Sequence, residues 1–198
     1  AKAIQEIGNN LWAVSNIDEA CKLRDDGIDG DILVLGYTPI DQFDVLIEKD
    51  ITQAVLSEEF AEALLTANKN IKCQIALDTG MNRIGLDADY SDRCIELIKV
   101  YAERLNIEGV FTHLCVADSD ADNFKTFTYN QIKKFETIAD GLNALSLKYV
   151  HCLNSAGGLW HKTKYNSIVR LGIVMYGLKP DYCNVLPDGI RPALRWKS

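Results

Sequence analysis

The chain has 198 residues, 47% apolar and 25% charged, with a net charge of −7. That length suits one domain or a large part of one, and that balance suits a globular core. The acidic sum and the absence of any Lys/Arg cluster argue against nucleic acid or an anionic membrane as partner.

The six cysteines, Cys21, Cys73, Cys94, Cys115, Cys152 and Cys183, show neither CxxC spacing nor a finger-like relation to histidine. They read as reduced thiols of a cytoplasmic protein. No apolar run reaches the length of a membrane span, and no signal peptide is evident. The chain opens without Met and stops at Trp196-Lys197-Ser198, so it reads as part of something longer.

Strand-like and helix-like segments alternate. The opening AKAIQEIG reads as the end of a helix closed by Gly8, which implies a strand before it. LWAVSN (11–16) is the first strand. Asn16 and Glu19 form a capping box for a helix that stops at Gly27. DILVLGY (31–37) is the second strand, and Thr38-Pro39 starts a helix with Pro at its first position. ITQAVLS (51–57) follows, and Ser57 caps a helix whose first turn carries Glu58 and Glu59. KCQIALDT (72–79) precedes a glycine-bearing loop and an amphipathic helix over about 89–104. IEGVFTH (107–113) leads through a polar loop to a helix over about 123–140, with Phe127, Ile132, Phe135 and Ile138 on or near one stripe. YVHCLNS (149–155) and IVRLGIV (168–174) are the sixth and seventh strands, with His161 in the helix between them.

Such alternation means parallel strands with right-handed crossovers, and near-continuous apolar strands mean both faces are covered. Seven strands plus the implied one make eight. The expectation is an α/β fold, a (β/α)8 barrel lacking its first strand, with open sheet edges beside the first and seventh strands. A doubly wound open sheet is the alternative, though both GxGxxG and GxxxxGK[ST] are absent.

In a parallel barrel, residues closing the strands meet at one mouth. Arg83, in the loop after the fourth strand, offers a planar fork to an anion, or is a surface arginine. Asp78 orients that loop by accepting backbone hydrogen bonds. His113, closing the fifth strand, either stacks on an aromatic ligand and tunes a proton donor or is structural. His151 and His161 receive no role. Asn154-Ser155-Ala156-Gly157-Gly158 either receives a phosphate or is a plain N-cap. Arg170 and Gly172 follow, and Gly172 lets backbone approach a ligand closely. Phosphate sites built from the last two loops recur in barrels, so these two motifs support each other.

DTGMNRIGLD, FTHLCVADSD, CLNSAG and VRLGIVMYGL, in this order, resemble the alanine racemase family over nearly the whole chain. DTGMxRxG together with RxGIxxYG is specific, and either alone would be moderate. The resemblance implies a fold-type III enzyme that uses pyridoxal 5′-phosphate (PLP) and, as a homodimer, interconverts L- and D-alanine for peptidoglycan precursors. It implies residues 1–190 as barrel and 191–198 as the passage into a β-rich second domain. Arg83 would meet the cofactor's phenolic oxygen and the substrate carboxylate. His113 would lie near the pyridine ring and bond a tyrosine acid/base. Ser155 and the backbone of Gly172 and Ile173 would hold the phosphate, with Asn154 supporting that loop. Arg170 would pair with the pyridine nitrogen, leaving it unprotonated and a poorer electron sink, so that side reactions such as transamination are disfavoured.

The chain departs from the family pattern in three places. It has no segment like the one that carries the family's cofactor-binding lysine, nor the tyrosine base of the second domain. Lys72, Lys179 and Lys197 are poorly placed to substitute. Ala76 stands where some relatives carry a modified lysine that supports the arginine. The chain alone is therefore expected to be inactive. A serine racemase of the vancomycin-resistance type, with a membrane-tethered parent, is one alternative. A different PLP barrel protein, such as a cofactor carrier or a decarboxylase relative, is another, and a non-catalytic phosphate-ligand module is a third.

Overall fold

The computed structural model describes residues 1–180 and 185–193. Expectations that fall on Cys183, Lys197 and the end of the PALRWKS run lie outside the described residues.

Strands β1 (Leu11–Val14), β2 (Asp31–Val34), β3 (Ile51–Val55), β4 (Lys72–Asp78), β6 (Asn106–Thr112) and β7 (Tyr149–His151) pair in that order, every pair parallel. The two-residue β5 (Leu86–Asp87) pairs with the end of β4. β8 (Leu153–Asn154) and β9 (Val169–Arg170) form a separate parallel pair. The order never reverses, as it would at the switch point of a doubly wound sheet. The sheet is therefore an incomplete barrel wound in one direction. β1 begins the row of paired strands and β9 pairs with β8, so the arc stays open between them.

Helices cover the outside: α1 (Lys2–Glu6), α2 (Ile17–Asp25), α3 (Phe43–Glu48), α4 (Glu58–Ala67), α5 (Ser91–Ala102), α6 (Asp122–Gly141) and α7 (Ser155–Trp160). None of the described helices is long and apolar enough to cross a membrane. Alternate strand residues divide between two layers, as a two-residue period requires. Cys73, Ile75 and Leu77 of β4 pack outward against the helices, in a core that includes Phe43, Leu64, Ile98 and Phe135. Leu33, Ala54, Ala76 and Phe111 form a smaller cluster on the concave face.

Capping chemistry fixes the helix starts. Asn16 Oδ1 accepts from the Glu19 N–H at 2.9 Å. Glu19 reaches back one residue further than a standard capping box, to the N–H of Ser15 at 2.8 Å. Ser57 Oγ accepts from the Phe60 N–H at 3.2 Å.

Four local expectations are corrected. Pro39 does not begin an α-helix: it precedes a 3-10 turn (Ile40–Gln42), and α3 starts only at Phe43. Thr38 donates to Gln53 Oε1 at 2.6 Å. The seventh strand shrinks to β9, and Ile173–Tyr176 is a 3-10 turn. Its β-branched residues lack the partner strand and burial on which β-propensity depends. Phe127 is 40% exposed, so the buried stripe of α6 runs through Ile132, Phe135 and Ile138. His161 lies just past α7, and its Nε2 meets the Ala117 carbonyl at 2.9 Å.

At the strand N-terminal end, Asp31 of β2 is bonded by the Tyr149 hydroxyl and, at 2.9 Å, by Lys148 Nζ. Burial pushes the Asp31 carboxyl up, but the Tyr149 hydroxyl and the Lys148 ammonium outweigh it and hold it below its usual range. This group ties β2 to β7 beneath a cavity of about 580 Å³ that runs along the open gap, between Leu11–Ala13 and Ser167–Leu171.

Candidate active site

The loop after β4 is built by one carboxylate. Asp78 Oδ1 accepts from the N–H groups of Gly80 (2.9 Å) and Asn82 (3.0 Å). Asn82 and Gly80 take positive φ, 56° and 136°, and the loop turns back over the barrel mouth. Arg83 follows, exposed and without a hydrogen bond or ion pair to any described residue. Ala76 lies beneath it on the concave face, too short to brace a guanidinium. Support for Arg83 is therefore weak within the described chain.

His113 follows β6 directly, and Arg170 closes β9. Burial pushes the His113 imidazole down to about 4, assisted by the positive charges of Arg170 and Arg83. The imidazole is thus neutral near pH 7. Arg170 is held from several directions. Its Nη2 donates to the Thr112 carbonyl at 2.5 Å, and its Nη1 meets His151 Nδ1 at 2.5 Å. Its guanidinium lies 5.6 Å from the Phe111 ring centroid, and that ring stacks on His151 at 5.4 Å and 6°. Burial draws Arg170 down to about 10, which leaves it cationic at neutral pH.

His151 and Gln74 belong to this assembly, although no role was expected of them. His151 Nε2 lies 2.8 Å from Gln74 Oε1. A guanidinium on one side and an amide oxygen on the other require the proton on Nε2, so the ring is neutral. Burial, with Arg170 adding to it, pushes its pKa well below the usual histidine value. The available signal was alternation: His151 and Gln74 occupy concave-face positions where an apolar strand residue would be ordinary.

Ser155 begins α7, and its Oγ accepts from the Gly172 N–H at 2.9 Å. Asn154 caps that helix through the Gly157 N–H at 2.8 Å, and its amide donates to the Leu114 carbonyl at 2.9 Å. The sixth and seventh strand ends are therefore in contact. A Cβ on Gly172 would find only Ser155 Oγ, at 4.0 Å, so no described atom crowds this backbone. Ile173, the next residue, is exposed.

Arg83, His113 and Arg170 line one cavity of about 320 Å³ with Ser15, Ala76, Asp78 and Phe111. Its one lining carboxylate is Asp78, whose Oδ1 is committed to the loop. Two guanidiniums against one carboxylate leave the lining net cationic, which favours an anionic ligand, and the Phe111 side suits a flat one. No lysine or tyrosine lines this cavity among the described residues. Lys72 lies at the N-terminal end of β4, paired with Asp50 at 2.6 Å.

Fold and site together define an incomplete parallel β/α barrel with a cationic mouth at its strand C-termini. The family model for the alanine racemase N-terminal domain matches residues 1–180, and the chain belongs to that family. It is 39% identical to an alanine racemase of Ligilactobacillus salivarius, over 91% of this chain and 49% of that protein. An alanine racemase of Clostridium difficile in complex with cycloserine superimposes with TM-score 0.84 at 29% identity, covering 97% of this chain and 54% of that one. One from Bacillus anthracis with bound L-Ala-P gives 0.82 at 32% identity, with coverage of 97% and 51%. The chain thus spans about half the length of the curated relatives it matches.

Proposed function

We propose that this chain is the cofactor-binding barrel of a PLP-dependent racemase that interconverts L- and D-alanine. The observation that carries the reading is the convergence of Arg83, His113 and Arg170 on one cavity, with Ser155 and Gly172 bonded to each other beside Arg170. The donor set fits the cofactor: a half-buried guanidinium for the ring nitrogen, and a hydroxyl beside uncrowded backbone for the phosphate. When bound, PLP supplies the electron sink that makes the substrate Cα–H acidic.

The chain's own residues do the binding. Ser155 and the backbone of Gly172 and Ile173 would hold the phosphate, the Gly172 N–H turning to it from Ser155 Oγ, and Asn154 would fix their loop. Arg170 would face the pyridine nitrogen and, cationic at neutral pH, would leave that nitrogen unprotonated. Arg83 would take the substrate carboxylate and the phenolic oxygen. Neutral His113 accepts a hydrogen bond from the phenol of an acid/base tyrosine. Racemisation requires a base on each face of Cα, a lysine and a tyrosine by family resemblance. With neither lining the cavity, the isolated chain is proposed to bind without racemising.

The exposed apolar run Leu171, Ile173, Met175, Tyr176 and Leu178 supports a homodimer, and residues 191–198 are proposed as the passage to a second domain. A cytoplasmic setting accords with the free thiols of the five described cysteines.

The test mixes PLP with the full-length polypeptide that carries this chain. Chiral chromatography should show alanine interconverted faster than serine, with an absorbance band at the visible edge. Absence of both band and interconversion under all conditions removes the reading. Preferential turnover of serine moves the substrate assignment alone.

A further inference from the structure

Gln131 lies in the middle of α6, on its buried side, and nothing in the catalytic reading above uses it. Its amide is nevertheless fully engaged. Nε2 donates to Thr79 Oγ1 at 3.2 Å and to the His113 carbonyl at 3.3 Å. Oε1 accepts from the Cys115 N–H at 3.2 Å. Thr79 Oγ1 and Thr112 Oγ1 are 2.8 Å apart, and Thr112 Oγ1 donates to the Leu77 carbonyl at 2.7 Å. Gln131, Thr79 and Thr112 are all about fully buried, so water does not compete.

These contacts have a direction. Thr112 spends its proton on Leu77, so it accepts from Thr79. Thr79 spends its proton on Thr112, so it accepts from Gln131. The chain Gln131 → Thr79 → Thr112 → Leu77 carries one proton per hydroxyl and is consistent only with an amide N–H at its head. Thr79 is the root of the Arg83 loop, next to Asp78. The His113 carbonyl and Cys115 amide bracket the segment after β6. Gly80 makes the approach possible, since a Cβ there would come within 2.9 Å of Phe127 and 3.8 Å of Gln131 Cγ on α6.

We propose that Gln131 is a positioning residue of the mouth, holding the Arg83 loop and the His113 segment at a fixed separation from outside the barrel. The functional half of this statement rests on the racemase reading, and the structural half does not. The substrate carboxylate would be bound from one loop while the proton-tuning imidazole stands on the other. A loose separation therefore lowers turnover more than affinity.

Gln131→Glu keeps size and the acceptor for Cys115 but removes both N–H donors. Thr79→Val removes the relay hydroxyl, whereas Thr79→Ser retains it. Hydrogen exchange on the 198-residue chain should show the Gly80–Arg83 and His113–Cys115 amides speeding up together in Gln131→Glu and Thr79→Val. Exchange in β4 and β6 should stay unchanged, and Thr79→Ser should match the unaltered protein. In the holoenzyme, the first two variants should lower kcat on the order of tenfold or more with a smaller change in KM and unchanged cofactor content. Faster exchange in one loop only, or uniformly through the barrel, overturns the proposal, as does an unaltered kcat in an enzyme shown to racemise. If the unaltered holoenzyme does not racemise alanine, the functional reading fails and the exchange pattern still decides whether Gln131 couples the loops.

Discussion

Arg170 and His151 face each other across 2.5 Å, Nη1 to Nδ1, and the guanidinium fixes the tautomer of the imidazole. The guanidinium can only donate, so the imidazole must accept there and carry its proton on Nε2 toward Gln74, at 2.8 Å. Arg170→Glu reverses this polarity. A carboxylate accepts, so His151 should move its proton to Nδ1, and the Gln74 amide should turn to present its NH₂. Nitrogen-15 NMR of the histidines reads the tautomer directly, and an unmoved Nε2 proton would refute the coupling. Racemisation should slow, because the ring nitrogen then faces a group that favours its protonation.

The depressed His113 gives a signed pH dependence. Unfolded, it titrates near ~6.5. Folded, burial first and then Arg170 and Arg83 hold it at about 4. Between these values the unfolded chain binds the extra proton, so the His113 contribution is whole above ~6.5 and is lost as pH falls toward 4. His151, depressed by burial and by Arg170, acts in the same sense. His113→Gln should lose less stability than the unaltered chain when urea midpoints at about pH 7 and about pH 5 are compared. Equal losses would show that other groups govern the acid limb.

The Asp31–Tyr149–Lys148 group lies at the end of the barrel opposite the mouth and closes its base. Tyr149→Phe should cost about 1.5–3 kcal/mol, the range for a hydrogen bond to a charged group, and lower the urea midpoint. PLP affinity should be unchanged, since stability and ligand contacts occupy opposite ends of such barrels. A weaker cofactor affinity in this variant would contradict that separation.

Gly85 sits at φ +112°, where its Cβ would come within 2.7 Å of the Asp78 nitrogen and 2.8 Å of the Ala76 carbonyl. Its N–H donates to the Leu56 carbonyl at 2.7 Å. The backbone of β4 presses on this position. Gly85→Ala should therefore cost about 3 kcal/mol or more through left-handed strain and overpacking. A thermal or urea melt that scarcely moves would show that the loop can yield.

Much of this arrangement was legible in local chemistry. Asn16, Ser57 and Asp78 act within four residues of themselves, and their side-chain acceptors can be assigned from neighbouring N–H groups alone. Ile173 and Val174 misled because their strand preference needs a partner strand, and Gly172 instead turns the chain into a 3-10 turn. Phe127 misled because helical period alone does not say where a helix stops facing the core. His151 and Gln74 were missed because their bonds span 77 residues, and Gln131 because its reach to Thr79 spans 52.

By itself, the sequence determined that parallel strands alternate with helices and that Arg83, His113, Ser155 and Arg170 lie at or after the C-terminal ends of their strands. Those facts follow from periodicity, caps and chain direction, which are local. Tertiary structure alone decided that Arg170 would pack against His151 and Gln74 would back that ring, and that α6 would reach both loops. Each of these depends on which side chains meet across a curved sheet, and curvature is set only when all the strands pack together.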